Sequence, residues 1–190
     1  ELCYLHSHSV AYRTTAGTLR EELRPLRAIR HGYEFLRRGG GALTMSGGAA
    51  IVFAPITGER PTETEIILMP VGMEFKALEG QEDTHDIHNI KIVGNRVMVY
   101  PSFVHPTGRG TVRLASTDPM VPPMIEHSLV SGEDMPALIA ACRQAREIFQ
   151  TPVMKAREVV EELPGEAVST DEQWTTFLRK HAFRPYHPVG

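Results

Sequence analysis

Between Ala49 and Ser116 the apolar runs of this chain follow one another with no helix-forming segment among them, and that order most narrows the folds open to it. Ala49–Ala54 and Glu65–Met69 are rich in Ile, Val, Phe and Leu and read as buried strands. Ile90–Val93 and Arg96–Phe103 flank Gly94-Asn95, whose glycine-first order predicts a hairpin turn. Gly110–Ser116 alternates, with Val112 and Leu114 on one face and Thr111, Arg113 and Ala115 on the other. A parallel doubly wound sheet would alternate strands with helices. Strands in succession instead predict an α+β fold, an antiparallel or mixed sheet with helices packed on one face. The 14 prolines and 16 glycines keep the elements short, and 190 residues suit a single domain, here 1–190, with its own core.

Helices are expected at both ends of this strand-rich region. Thr18-Leu19-Arg20-Glu21 has the form of a capping box, and Pro25 interrupts that helix or begins another. Leu26, Ile29, Tyr33 and Leu36 then recur at spacings of three and four, one apolar stripe, until Gly39-Gly40-Gly41 ends the helix. The order of helix before glycines is the reverse of a phosphate loop. Ser131 is the expected N-cap of the next long helix, with Glu133 and Asp134 in its first turn. Its buried stripe is predicted as Met135, Leu138, Ile139, Cys142, Ala145 and Phe149, and Pro152 closes it. A last helix starts at Ser169 or Thr170 and carries Trp174, Phe177 and Leu178; the tail 183–190 is extended because residues before proline avoid the helical region.

Charge and cysteine usage exclude more than they suggest. A net charge of -3 gives the whole chain no electrostatic case for nucleic acid or an anionic membrane surface. The arginines between Arg20 and Arg38 are interleaved with Glu21, Glu22 and Glu34, as on a solvated helix face. No apolar run approaches the ~18–20 residues a membrane span needs. Cys3 and Cys142 form no CxxC pair, so idle thiols in a cytoplasmic protein are expected, with a disulfide between them left open. His6 and His8 alternate along the β-like stretch Leu2–Val10, but a metal needs a third ligand and the neighbouring sequence offers none.

Two segments carry chemistry. In Tyr186-His187-Pro188, with Pro185 just before, the prolines stiffen the backbone around a histidine, as a positioned acid–base group requires. Such a histidine alone is more often structural. His105-Pro106-Thr107-Gly108-Arg109-Gly110 reads as a loop feeding the strand from Thr111, with Gly108 and Gly110 supplying unusual dihedrals and Arg109 meeting a carboxylate.

Together these pieces resemble the glucose–methanol–choline oxidoreductases. Gly108-Arg109-Gly110-Thr111-Val112-Arg113-Leu114-Ala115-Ser116, then Asp118-Pro119, is similar to that family's P-x-S-R-G-x-V-x-L-x-S-x-D-P. Asp134 with Ala145-Arg146-Glu147-Ile148 resembles its long helix, Asp171 precedes a short one, and Tyr186-His187-Pro188-Val189-Gly190 resembles its Y-H-P-x-G-T motif. Upstream, Phe35-Leu36-Arg37-Arg38-Gly39, Ser46 and Phe53 follow the family's order. Gly108 stands where serine is more usual, and the chain stops at Gly190, before the second active-site residue.

The resemblance implies a substrate-binding portion of an FAD-dependent enzyme that oxidises an alcohol to a carbonyl by hydride transfer. His187 would be the catalytic base, Tyr186 a wall of the pocket, His105 a polar substrate contact, and Glu65 a carboxylate able to meet a cationic substrate. The dinucleotide fingerprint G-x-G-x-x-G is absent from these 190 residues. FAD is therefore expected on a domain elsewhere, in the same protein or a partner chain, with this chain inactive alone and a segment of something longer. The competing readings are a non-catalytic α+β binding module and one subunit of a split flavoenzyme. A hydrolase pairing His187 with Ser102 or Ser116 lacks the G-x-S-x-G elbow.

Overall fold

A computed structural model describes residues 6–7, 10–14, 17–45, 47–75, 90–127 and 130–182. Expectations for Cys3, His8, Tyr186 and His187 lie outside the described residues. The chain runs through β1 (His6–Ser7), β2 (Val10–Arg13), α1 (Leu19–Glu22), α2 (Pro25–Arg38) and a 3-10 turn at Ala42–Thr44. It continues with β3 (Ala50–Ala54), β4 (Thr64–Met69), β5 (Gly72–Phe75), β6 (Ile90–Val93), β7 (Arg96–Phe103), β8 (Thr111–Arg113) and β9 (Met124–Glu126). Helix α3 (Met135–Phe149), a short α4 (Pro152–Lys155), β10 (Val160–Leu163) and α5 (Asp171–His181) follow.

The main sheet has the order β10-β2-β7-β4-β3, with β1 also on β7, and every pairing is antiparallel. This is the α+β fold read from the sequence. Strand β7 is its axis: its first half pairs with β2 and its second half with β1, while β4 runs along its other side. Alternation sends Tyr12, Ile66 and Val99 to one face, where they meet Ala145 and Phe149 of α3. The Tyr12 and Phe149 rings stack at 4.0 Å. Along the N-terminal part of the same stripe α3 packs against α5, burying Met135, Leu138, Ile139 and Cys142 with Trp174, Leu178 and Ala182. The stripe predicted for α3 is therefore buried in full, each large side chain contributing roughly 1.5–3 kcal/mol. Cys142 is a buried, unpaired thiol.

Strand β10 was not legible, because Val160-Glu161-Glu162-Leu163 has too little apolar character to read as a strand. What secures it is tertiary. Arg146 of α3 donates to both Glu161 oxygens, at 2.8 and 2.7 Å, and to the carbonyl of Val168 at 2.8 Å. Its guanidinium also sits 4.6 Å from the centre of the Trp174 ring, so one side chain ties α3 to β10 and to α5.

Four expectations need correction. Gly94-Asn95 does form a turn, with Gly94 at φ 47, but β6 pairs with β5 and β7 with β2 and β4, so the turn passes the chain between sheets rather than closing a hairpin. Strand β3 is not buried: it is an edge strand on which Phe53 is 56% exposed, since apolar composition marks a surface to be covered without saying what covers it. Thr18 occupies the N-cap of α1, yet its side chain makes no capping bond; the capping box that forms is that of Thr170 with Gln173 on α5. Ser131 lies one turn before α3, where its hydroxyl accepts from the amide of Asp134, the residue at the helix N-cap.

Helix α2 begins with Pro25 at N1 and ends on Gly39 in the left-handed conformation, φ 63, as its sequence signals require. Its orientation is the unexpected part. The stripe Leu26, Ile29, Tyr33 and Leu36 faces outward, with Leu26 and Leu36 each 85% exposed. The less exposed His31 contacts Glu22 at 3.0 Å.

Candidate functional site

The candidate site is assembled at the end of the β4–β7 pair. Thr64 begins β4 with its hydroxyl 3.0 Å from Gln144 Oε1 of α3, so it faces the helices, as Ile66 does. The intervening Glu65 therefore faces the opposite side of the sheet. It lies in register with Phe53 on β3 and Ser102 on β7, forming a row Phe53–Glu65–Ser102 across that face. Ser102 is buried and Glu65 half-buried. The Glu65 carboxylate has no hydrogen bond or ion pair to another described residue. A carboxylate half out of water without a partner is poised for a donor or a cation from outside the sheet.

Glu63, two residues earlier, has a different task. Its carboxylate accepts from the amides of Ile56, Thr57 and Gly58 at 2.7, 2.8 and 3.3 Å, and from the Thr57 hydroxyl at 2.9 Å. These bonds, the Ile56 amide foremost, hold its carboxyl below the usual carboxylate range. Glu63 thus fixes the turn between β3 and β4 and leaves Glu65 as the available acid. The sequence reading overlooked it, because only the fold brings a turn's amides around one carboxylate.

The ladder continues past β7 through the Val104 amide, which donates to the Glu63 carbonyl at 3.0 Å. His105 follows, its Nε2 2.8 Å from the carbonyl oxygen of Thr62. Because a carbonyl only accepts, Nε2 is the donor, and in the neutral form of this exposed ring Nδ1 is an acceptor. The fold brings Glu65 and His105, 40 positions apart, to the same end of the sheet.

Asp134 holds the loop after His105. Its carboxylate accepts from the Thr107 amide at 2.8 Å, the Thr107 hydroxyl at 2.8 Å and the Gly108 amide at 3.0 Å. Burial would raise its carboxyl, but hydrogen bonds from Ser131, Thr107 and Gly108 more than offset this and lower its pKa to about 2. Arg109 donates to the carbonyls of Pro106, Thr107 and Gly108 in its own loop. Neither Gly108 nor Gly110 has a positive φ. They are needed for closeness instead: a Cβ on Gly110 would lie 2.5 Å from the Glu126 carbonyl, and one on Gly108 3.1 Å from Asp134 Oδ2.

Tyr186 and His187 lie beyond Ala182, which is the last described residue and is packed in the α3–α5 core. Among the described residues no group of three His, Cys, Asp or Glu is placed to hold a metal ion, and no helix is long and apolar enough to cross a membrane. The glycine triplet Gly39–Gly41 caps the C-terminal end of α2, where the helix dipole is negative and disfavours phosphate.

Residues 106–190 match the family model described as GMC oxidoreductase. Choline oxidase of Arthrobacter globiformis is 36% identical over 106 residues, covering 54% of this chain and 19% of that protein. An alcohol dehydrogenase [acceptor] of Pseudomonas putida is 37% identical over 105 residues, with the same two coverages. Among solved structures, formate oxidase superposes over 100% of this chain and 36% of its own, with a TM-score of 0.73 and 17% identity. A fungal aryl-alcohol oxidase does so over 99% and 38%, with a TM-score of 0.68 and 19% identity. The chain thus spans about a fifth of the curated relatives' length, and the structural likeness establishes the fold.

Proposed function

We propose that the chain, whose residues 106–190 match the GMC oxidoreductase model, belongs to that family and is the substrate-binding portion of an FAD-dependent enzyme oxidising an alcohol to a carbonyl. The observation that carries this reading is the family match itself, which runs unbroken from the Asp134-anchored loop through Tyr186 and His187. FAD, held by a domain other than this one, supplies the hydride acceptor.

His187 takes the proton of the substrate hydroxyl. Electron density pushed onto that oxygen makes the α-carbon a better hydride donor, and base help of this kind typically contributes ~10²–10⁴ in rate. Tyr186, adjacent to the base, shapes the pocket beside the reacting carbon. Glu65 provides a carboxylate, without a partner among the described residues, on the sheet face opposite α3, suited to a cationic or hydroxyl-bearing substrate. His105, with its Nε2 proton committed to Thr62, presents Nδ1 as a hydrogen-bond acceptor for a substrate hydroxyl.

The test is the visible spectrum of the natural full-length protein under anaerobic conditions. Flavin bands that bleach on adding a primary alcohol, and that fail to bleach at a comparable rate in His187→Ala, are the expected result. A protein that stays colourless when FAD is supplied overturns the reading and leaves a binding module without redox chemistry.

A further inference from the structure

We propose that a cleft at the other end of the sheet binds a phosphate-bearing anion. It has a volume of about 660 Å3, and its walls include Arg13, Arg20, Arg24, Asn95 and Glu158. The three guanidiniums come from three elements: the end of β2, helix α1, and the residue that caps α2. Arg20 and Arg24 form no ion pair or side-chain hydrogen bond with any described residue. Arg13 approaches Glu162 only to 3.8 Å, and the other oxygen of that carboxylate is held by Arg96.

The cleft has ordered walls. The Thr14 amide donates to the Asn95 carbonyl at 2.9 Å, and the Thr14 hydroxyl to the Arg157 carbonyl at 2.9 Å. The Asn95 side chain donates to Glu21 at 3.2 Å, which fixes the start of α1 against the turn before β7. Glu158 stands on the rim in the left-handed conformation, φ 52. Three arginines stand against Glu158 in the lining, a charge of +2, while just outside it the Glu162 carboxylate is shared between Arg13 and Arg96 and that of Glu21 is held by Asn95.

That charge selects the ligand class. A phosphate monoester or pyrophosphate group carries about −1.5 to −2 near neutrality and offers several acceptor oxygens. The planar forks of arginine match such oxygens in pairs, which a halide cannot exploit. Arg96 and Ser102 are six positions apart on β7, roughly 20 Å at a strand's rise, so the cleft lies well away from the Phe53–Glu65–Ser102 row.

Two sources present this chemistry: a soluble phosphate compound and an acidic phospholipid headgroup. The outward stripe of α2 begins at Leu26, two residues after Arg24, and offers an apolar seat beside the cleft that suits the lipid source.

The experiment uses the natural full-length protein, wild type and Arg20→Ser/Arg24→Ser, with Arg113→Ser as a control at an exposed arginine outside the cleft. Inorganic pyrophosphate is titrated at constant ionic strength against sodium chloride, following the melting temperature and heat of binding. In parallel, the proteins are sedimented with phosphatidylcholine vesicles with and without phosphatidylglycerol. A pyrophosphate response that falls on the order of tenfold in affinity in the double variant, but not in Arg113→Ser, supports the site with a soluble ligand. Silence toward pyrophosphate with arginine-dependent binding to the acidic vesicles supports it with a lipid headgroup. No response in either arm, one matched by chloride, or one that the double variant retains, overturns the proposal.

Discussion

Asp134 Oδ1 lies 2.8 Å from the amide nitrogen of Thr107, 27 positions earlier, so the residue that precedes α3 holds the loop that leaves the central strand. The same carboxylate takes the Thr107 hydroxyl and the Gly108 amide, which places the loop after His105 under its control.

Replacing Asp134 by Asn removes the charge from this cluster and is expected to cost roughly 1.5–3 kcal/mol, the usual range for hydrogen bonds to a charged group. The pH dependence has a definite sign. The folded carboxyl, near 2, lies below the ~3.9 of an unfolded aspartate, so its contribution is complete above about pH 5 and disappears as the pH falls through 4 toward 2. Denaturant melts of wild type and Asp134→Asn across that range check it: their difference should be flat above pH 5 and narrow below.

Arg146→Ala leaves Glu161, whose side chain is 6% exposed, buried without its cation. A loss of about 3–5 kcal/mol is expected, with release of β10 from the sheet edge. Arg146→Met/Glu161→Leu should recover part of that loss, because the apolar pair leaves no buried charge behind. Chemical denaturation of the two variants gives the comparison.

Two leucines separate a used stripe from an unused one. Leu138→Ala, between α3 and α5, is expected to cost about 2–5 kcal/mol. Leu36→Gln on the outward face of α2 should stay within roughly 0.5 kcal/mol in this chain. A comparable loss at Leu36 would mean that its stripe is covered in solution.

Glu65→Gln tests the proposal that this face of the sheet meets the substrate. In the full-length enzyme the KM for a cationic alcohol such as choline is expected to rise on the order of ten- to hundredfold, while that for an uncharged primary alcohol changes little. Equal effects on both would assign Glu65 a structural role.

Much of this molecule was readable from local pattern. The apolar period of α3, the Pro25 start and Gly39 stop of α2, and the succession of strands all act within a few residues of themselves, and each appears where the sequence places it. The glycines of the Arg109 loop were correctly singled out for the wrong reason: they yield to Asp134 and the Glu126 carbonyl across space, not to an unusual dihedral.

The sequence by itself determined most of the elements, the α+β class, and the motifs leading to His187, because hydrophobic period, capping and turn chemistry are properties of neighbours along the chain. Only the tertiary structure decided that β6 and β7 belong to different sheets, that polar β10 joins the main sheet, and that among the described residues Glu65 has no partner while Glu63 is fully engaged. It also turned the α2 stripe outward and drew three arginines to one cleft. These outcomes depend on which surfaces meet once whole elements have packed, whether the partners are a few positions apart, as Gly58 and Glu63 are, or at opposite ends of the chain, as Arg13 and Val160 are. A residue's partner there is chosen by the packing of whole elements, and nothing in its own neighbourhood encodes the choice.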